Sequence, residues 1–398
     1  MKTIMILGGS ILQLPAIEKA KQMGLETVVV DMNPDAIGFT IADVCEVIST
    51  IDIPKVVESA KRNQIDGIMT LASDMPMKTV AAVAKEMGLI GISEDSALKA
   101  TNKAEMRKCL KENNVPIPRY CRVSDLDQYY EIITTFQSCI VKPADNSGSR
   151  GVYLIQDTSN AISVDEAYHH SKEFSRSGDI VVEEYMQGPE VSVETISLDG
   201  EVHIIQITDK MTTGAPFFVE MGHSQPTHLD KEIQIDIKDV AIKAVKALGI
   251  KNGPSHTEII VTRDGAKIVE LGARLGGDCI TTHLVPLSNG VDMVECCIKI
   301  ALGEVPDILV KWNKGAAIRY FNSHSGVIQN ITGIEEAKRV PGVFVIDFVK
   351  KVGESIKNIQ SSTDRVGFVI SESATADQAI LSCECAMKQI FLDLKVVS

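Results

Sequence analysis

Cysteine pairing is missing from this chain. None of the nine cysteines forms a CxxC pair, and the nearest neighbours, Cys296 with Cys297 and Cys383 with Cys385, lack the spacing of zinc ligands. Scattered thiols of this kind fit a reduced, cytoplasmic protein. Long apolar runs are also missing. Nothing approaches the ~20 residues of a membrane helix, and Ile4-Met5-Ile6-Leu7 is cut off by Gly8-Gly9 before it reaches the length of a signal-peptide core. Neither a membrane partner nor export is expected. Basic runs do not occur, and 40 Lys and Arg against 53 Asp and Glu leave a formal net charge of −13. Such a field repels a phosphate backbone, so no nucleic-acid partner is expected. Repeats, low-complexity tracts and long linkers are absent, which argues for units packed against one another.

What remains is an ordinary globular composition, 44% hydrophobic and 23% charged, in 398 residues. At ~100–200 residues per domain that length holds two or three cores. The amino-terminal part alternates short apolar strands, Thr3 to Leu7, Thr27 to Val30 and Gly67 to Leu71, with helical stretches at Pro15 to Met23, Pro54 to Arg62 and Lys78 to Met87. This rhythm predicts a parallel sheet. A helix about Lys99 to Lys111 and the stiff connector Val115-Pro116-Ile117-Pro118 lead into strands at Ser138 to Lys142, Gly151 to Ile155, Ile180 to Glu184, Val191 to Ser197 and Val202 to Thr208. Helices are expected at Ile235 to Leu248 and Val291 to Leu302, then short strands and a closing helix near Thr375 to Asp393.

Gly8-Gly9-Ser10 lies between the first strand and a helix, where a dinucleotide fold places its phosphate-binding turn, and Asp31 ends the second strand. Counted from Gly8, the G-x-G-x-x-G pattern needs glycines where Ser10 and Gln13 stand, which argues against an NAD-dependent oxidoreductase. Asp145 to Gly151 has the glycines and hydroxyls of a loop that wraps N–H groups around phosphate oxygens, and equally of a plain hairpin turn. Lys142, ending the strand before it, would reach the same anion, and Lys103 is a second candidate.

Glu258 and Glu270 are the strongest pair. They flank Arg263-Asp264-Gly265, which reads as a hairpin turn: a three-residue loop sets Glu258 opposite Glu270, whereas a two-residue Asp264-Gly265 turn sends them to opposite faces. Opposed carboxylates ~4–5 Å apart repel by roughly 3–4 kcal/mol at an effective dielectric of about 20. The pair then calls for a cation or a shared proton. Oxygen ligands and a phosphate partner favour Mg²⁺ over zinc. Arg274, followed by Gly276-Gly277, suits a transferring phosphoryl group or a substrate carboxylate. The histidines show no metal spacing, and His256 stands out only by its place two residues before Glu258.

Lys103, Lys142, the loop 145–151, the segment Val182-Glu183-Glu184-Tyr185-Met186-Gln187-Gly188-Pro189-Glu190, and Glu258 with Glu270, in this order, resemble the ATP-grasp superfamily of carboxylate–amine ligases. The resemblance covers nearly the whole chain. It implies an α/β fold, α+β in the clamp: a parallel-sheet preATP-grasp domain over 1–95, a two-lobed ATP-grasp domain over 96–310 with its small lobe about 115–186, and a small α+β unit over 311–398. It implies that Lys103 and Lys142 contact phosphate and that Ser147, Gly148, Ser149 and Gly151 belong to the loop that folds over it. Glu183, Glu184 and Met186 would line the adenine site, with the backbone of Glu183 and Met186 on the adenine edge and Glu190 on the ribose hydroxyls. Glu258 and Glu270 match the metal-binding acids, for Mg²⁺ or Mn²⁺, and Arg274 matches the arginine of an E-x-N-x-R signature whose Asn falls on Gly272.

Glu-x-x-x-Arg without the Asn is similar to the L-amino-acid ligase branch. The implied activity is ATP-dependent phosphorylation of a small carboxylate, an amino acid, to an acylphosphate that an amine then attacks, with ADP and phosphate released. Lys142 and Arg274 would be catalytic. Phosphoribosylglycinamide synthetase, or a related purine-pathway carboxylase, is the rival within the superfamily, and a noncatalytic ATP-binding sensor is a rival outside it. Substrate choice is expected near Gly8 to Ser10, Ser73-Asp74, Met211 to His223 and Arg319. The expected partners are a small-molecule carboxylate and an amine, and a homodimer is the base-rate expectation.

Overall fold

In the computed structural model, residues 1–395 are described, so the last three positions of the unit expected over 311–398 lie outside the described residues. β1 (Thr3–Leu7) and the middle of β2 (Glu26–Asp31) are buried, as a parallel sheet covered by helices requires. With β3 (Val44–Val47) and β4 (Gly67–Met69) they form the expected parallel sheet, in the order β3-β2-β1-β4. β3 escapes sequence reading because the edge segment Val-Cys-Glu-Val is only half-buried and has no apolar run.

The helix expected over Lys99 to Lys111 is two helices, Glu94–Thr101 and Lys103–Glu112. Asn102 breaks it. Its side chain accepts from the N–H groups of Ala104 and Glu105, capping the second helix and setting Lys103 in its first turn. A second sheet follows, antiparallel, from β5 (Tyr120–Val123), β6 (Cys139–Pro143), β7 (Tyr153–Ile155) and β8 (Ile180–Glu184) in the order β5-β8-β6-β7. The helices Leu126–Ile133 and Ala161–Phe174 cover it, burying Tyr129, Val164 and Tyr168 against Val141 and Val182.

The central sheet takes β9 (Glu190–Leu198), β10 (Glu201–Thr212), β11 (Glu220–Gln225), β12 (Gly253–Thr262), β13 (Gly265–Gly272) and β14 (Gly315–Tyr320). Beyond them run β15 (Gly326–Thr332), β16 (Val343–Phe348), β17 (Ser355–Ile356), β18 (Gly367–Ser373) and β19 (Phe391–Lys395). The eight-stranded order is β13-β12-β9-β10-β11-β14-β18-β16, so strands from both sides of position 310 share one sheet. β17-β15-β19 form a separate three-stranded sheet. The closing helix ends early, at Met387, because Leu392 and Leu394 alternate inward and pair β19 with β15. Among the described residues no helix is long and apolar enough to cross a membrane.

Candidate active site

One hairpin register decides what the cleft holds. Thr262 pairs with Gly265 and Ile260 with Lys267, a two-residue turn whose register alone would send Glu258 and Glu270 to opposite faces. The three-residue loop expected from sequence is absent. Between the pairs Ile259–Ile268 and Glu258–Glu270, however, β13 carries an extra residue, Val269, and this bulge sets the two carboxylates opposite each other after all. The Val269 carbonyl accepts from Arg107 Nη2 at 2.6 Å, which pins the bulge to the helix Lys103–Glu112.

Eleven residues expected to bind nucleotide or metal line one cleft of about 150 Å³: Lys103, Lys142, Ser147, Gly148, Ser149, Glu183, Glu184, Met186, Glu190, Glu258 and Glu270. Gly151 is outside its lining. It has φ +77°, and a Cβ there would stand 2.6 Å from Phe174 Cβ and 2.7 Å from Pro143 Cγ, so this glycine serves close packing at the root of the loop. Lys103 Nζ donates to Glu270 Oε1 at 2.7 Å and to the Asn146 carbonyl at 2.6 Å, tying the loop to the hairpin.

The small-lobe wall is anchored by a buried triad. Glu183 accepts from Arg107 at 2.7 and 3.1 Å and lies 2.7 Å from Lys142 Nζ. Burial alone would raise the Glu183 carboxyl, but the two cations hold it down to about 2. Burial pushes the Lys142 ammonium below its usual range, and Glu183 opposes that shift. Expectation for Glu183 concerned its backbone; its side chain aims Lys142 at the cleft.

The opposite wall holds a residue that sequence reading missed. Lys210, on β10, lies 2.6 Å from Glu190, 3.3 Å from Glu258 and 3.7 Å from Glu220. Burial would lower it, but the three acids raise it well above the usual lysine range. Glu258 is held well below the carboxylate range: burial works against this, and Lys210 and His256 bring it about. His256 sits 3.4 Å from Glu258 and 2.6 Å from the fully buried Glu194, which overcomes the effect of burial and pushes the imidazole up to about 9.

Arg274 lies beside this centre, outside the lining of the cleft, and Asp74 grips it through both carboxylate oxygens. Burial would lower this guanidinium, yet Asp74, with the fields of Glu270 and Glu258, raises it. The Gly8-to-Ser10 turn is internally satisfied: Asp31 accepts from the Gly9 N–H at 2.8 Å, and Ser10 Oγ donates to Gln13 at 2.7 Å. Arg319 and His223 do not share a face. Register pairs Arg319 with Gly222 and Ile318 with His223, and side chains alternate along each strand.

The chain is similar to known proteins along most of its length. An ATP-grasp domain matches residues 135–282, and an L-amino acid ligase C-terminal domain 2 matches residues 319–395. An L-arginine-specific L-amino acid ligase of Bacillus subtilis is 25% identical over 69% of this chain and 68% of its own length. A phosphoribosylamine–glycine ligase of Caldanaerobacter subterraneus is 25% identical over 82% of each chain. The crystal structure of an L-amino acid ligase from Bacillus licheniformis shares the fold, with a TM-score of 0.84 at 22% identity over 100% of this chain and 99% of its own.

Proposed function

We propose that this chain, an ATP-dependent C–N ligase of the ATP-grasp superfamily, phosphorylates the carboxylate of an amino acid and passes the acyl group to the amine of a second small molecule. The observation that carries this reading is the bulge-built opposition of Glu258 and Glu270 in a cleft where Lys103, Lys142 and Lys210 converge.

The donor set fits a hard divalent cation, Mg²⁺ or Mn²⁺. Two carboxylates face each other, the imidazole of His256 beside Glu258 is engaged by Glu194 and held protonated, and among the described residues no group of three or more His, Cys, Asp or Glu is arranged to hold a metal alone. Phosphate oxygens would complete such a site. A cation held by Glu258 and Glu270 would offset charge on the phosphate oxygens. The chain's own groups do the rest. Lys103 and Lys142 approach from the loop side and Lys210 from the opposite wall, where their ammonium groups offset the charge of a transferring phosphoryl group. The carboxylate of Glu190 would take the ribose hydroxyls, and the backbone after β8, through Met186, would read the adenine edge. The loop 145–151 would cover the phosphates and exclude water from an acylphosphate. Arg274 would stabilise the oxyanion formed when the amine attacks.

The carboxy-terminal match to an L-amino acid ligase domain favours an amino acid as the first substrate. The relative named phosphoribosylamine–glycine ligase keeps a second reading in view, in which the amine is phosphoribosylamine. ADP release from the purified protein, measured across pairs of L-amino acids, phosphoribosylamine with glycine, and bicarbonate, with mass spectrometry of products, separates these readings. We expect ADP and a dipeptide mass with a pair of amino acids. No ADP above background with any pair would refute the ligase reading and favour a nucleotide sensor.

A further inference from the structure

We propose that Asp74, on the loop after β4, is a positioning residue for Arg274 and couples the amino-terminal sheet to the reacting centre. The turnover part of this inference rests on the ligase reading; the geometry does not. Asp74 Oδ1 accepts from Arg274 Nε at 2.9 Å and Oδ2 from Nη2 at 3.1 Å. Both side chains are largely shielded, at 14% and 16% exposure, so the bond is poorly screened. A two-pronged grip of this kind fixes the plane of the guanidinium as well as its position. Arg274 spends one further contact on the Leu275 carbonyl, at 3.3 Å.

Gly272 belongs to the same device. Its backbone is not left-handed, so conformation does not demand glycine there. Space does: a Cβ at 272 would stand 2.8 Å from Asp74 Oδ1 and 3.2 Å from Arg274 Nε. Any side chain at this position displaces the acid from the arginine. The gap at 272 and the ion pair across it are one feature, contributed half by β13 and half by a loop remote in sequence.

That loop is itself held at two points. Ala72 adopts a left-handed φ of +57° at its start. Asp74 holds Arg274, and Met75 Sδ touches the guanidinium of Arg176, which follows the last helix of the small lobe. One short segment therefore contacts both the small lobe and the arginine.

The test is a double-mutant cycle on Asp74→Ala and Arg274→Ala, assayed by ADP release with the amino-acid pair that supports turnover. Asp74→Ala should lower kcat about a hundredfold, the usual cost of a misplaced or missing oxyanion donor. KM for ATP should stay within about threefold, because Asp74 touches no part of the nucleotide cleft. Combining it with Arg274→Ala should add no further loss. Gly272→Ala should match Asp74→Ala, and adding Gly272→Ala to Asp74→Gly should cost little more. Independent, additive losses, or an Asp74→Ala enzyme with unchanged kcat, would overturn the proposal. Hydrogen exchange provides a readout without turnover: Arg274→Ala and Arg274→Lys should speed exchange in the segment 71–76 while β1 keeps its protection. Unchanged exchange there would also overturn it. A wild-type protein that releases no ADP would instead sink the ligase reading, with the exchange result still deciding the coupling.

Discussion

The two walls of the cleft use the same kinds of side chain and reach opposite balances. On the small-lobe wall, one carboxylate, Glu183, serves two cations, Arg107 and Lys142, all three nearly closed to solvent. On the facing wall, two cations, Lys210 and His256, serve four carboxylates, with Glu190, Glu220 and Glu258 around the lysine and Glu194 beside the imidazole. The first arrangement pairs its one acid with both cations, leaves Arg107 Nη1 buried without a hydrogen-bond partner, and leaves positive charge over. The second is short of positive charge, and buried charge left unpaired is costly. The two walls therefore leave over charge of opposite sign.

The largest expected effect comes from removing a charge where the two walls meet. Glu270→Gln should cut ADP release by roughly 10³-fold or more, as loss of a group that organises transition-state charge does, while adenine-nucleotide affinity measured by calorimetry changes little. Retained phosphate release in that variant would refute the metal assignment. Lys210→Met comes next. It leaves three acids without their cation, so turnover should fall by about 10²-fold, while Mn²⁺ binding without nucleotide, followed by its electron spin resonance signal, should tighten. Weaker Mn²⁺ binding would mean that Lys210 does not compete for the cation's place. Lys142→Ala, on the balanced wall, should raise the ATP concentration for half-maximal rate by ~10-fold, the worth of one charged hydrogen bond. An unchanged ATP requirement would remove Lys142 from the phosphate site.

The same contrast explains how much was legible in the sequence. β1 and β8 were expected at their observed limits, because both are short apolar or β-branched runs with clear stops. Lys103, Lys142 and the hinge Glu183 to Glu190 could be found because they lie on segments whose order along the chain carries the signal. Lys210 could not: its three acids come from β9, β11 and β12, and no spacing in sequence brings them together. Arg107 was missed as well; it is 1% exposed because β8 brings Glu183 onto it. The opposition of Glu258 and Glu270 was conditional on a three-residue loop, with a two-residue turn as the alternative. Sequence offered a turn length, whereas the structure uses a two-residue turn corrected by a bulge at Val269, a residue type that favours regular strand. Arg107 holds that bulge, so the feature that opposes the two carboxylates depends on a contact from outside the hairpin.

The smallest effect, and the one that separates the walls most cleanly, is their response to acid. The Glu183 carboxyl titrates near 4.5 in an unfolded chain and near 2 in the folded protein. A carboxyl depressed in this way gives stability that is fully present above about pH 4.5 and lost as pH falls through about 2. The apparent melting temperature should therefore drop across that window, with Arg107 and Lys142 left as unopposed buried cations at its lower end. Glu183→Gln should flatten part of this slope, with a lower melting temperature near neutrality, because breaking a buried pair by removing one partner costs roughly 3–5 kcal/mol. Glu258 on the facing wall and Asp278, which Arg365 and His223 hold far below the carboxylate range against the effect of burial, account for slope left in Glu183→Gln. Adding Mg²⁺ with a nonhydrolysable ATP analogue should protect the Glu258 part of that residual slope in the Glu183→Gln protein, since a ligand-borne cation replaces charge where Lys210 and His256 are insufficient. If Mg²⁺ and the analogue left the residual slope unchanged, the unequal charge balance of the two walls would not be what receives the cation.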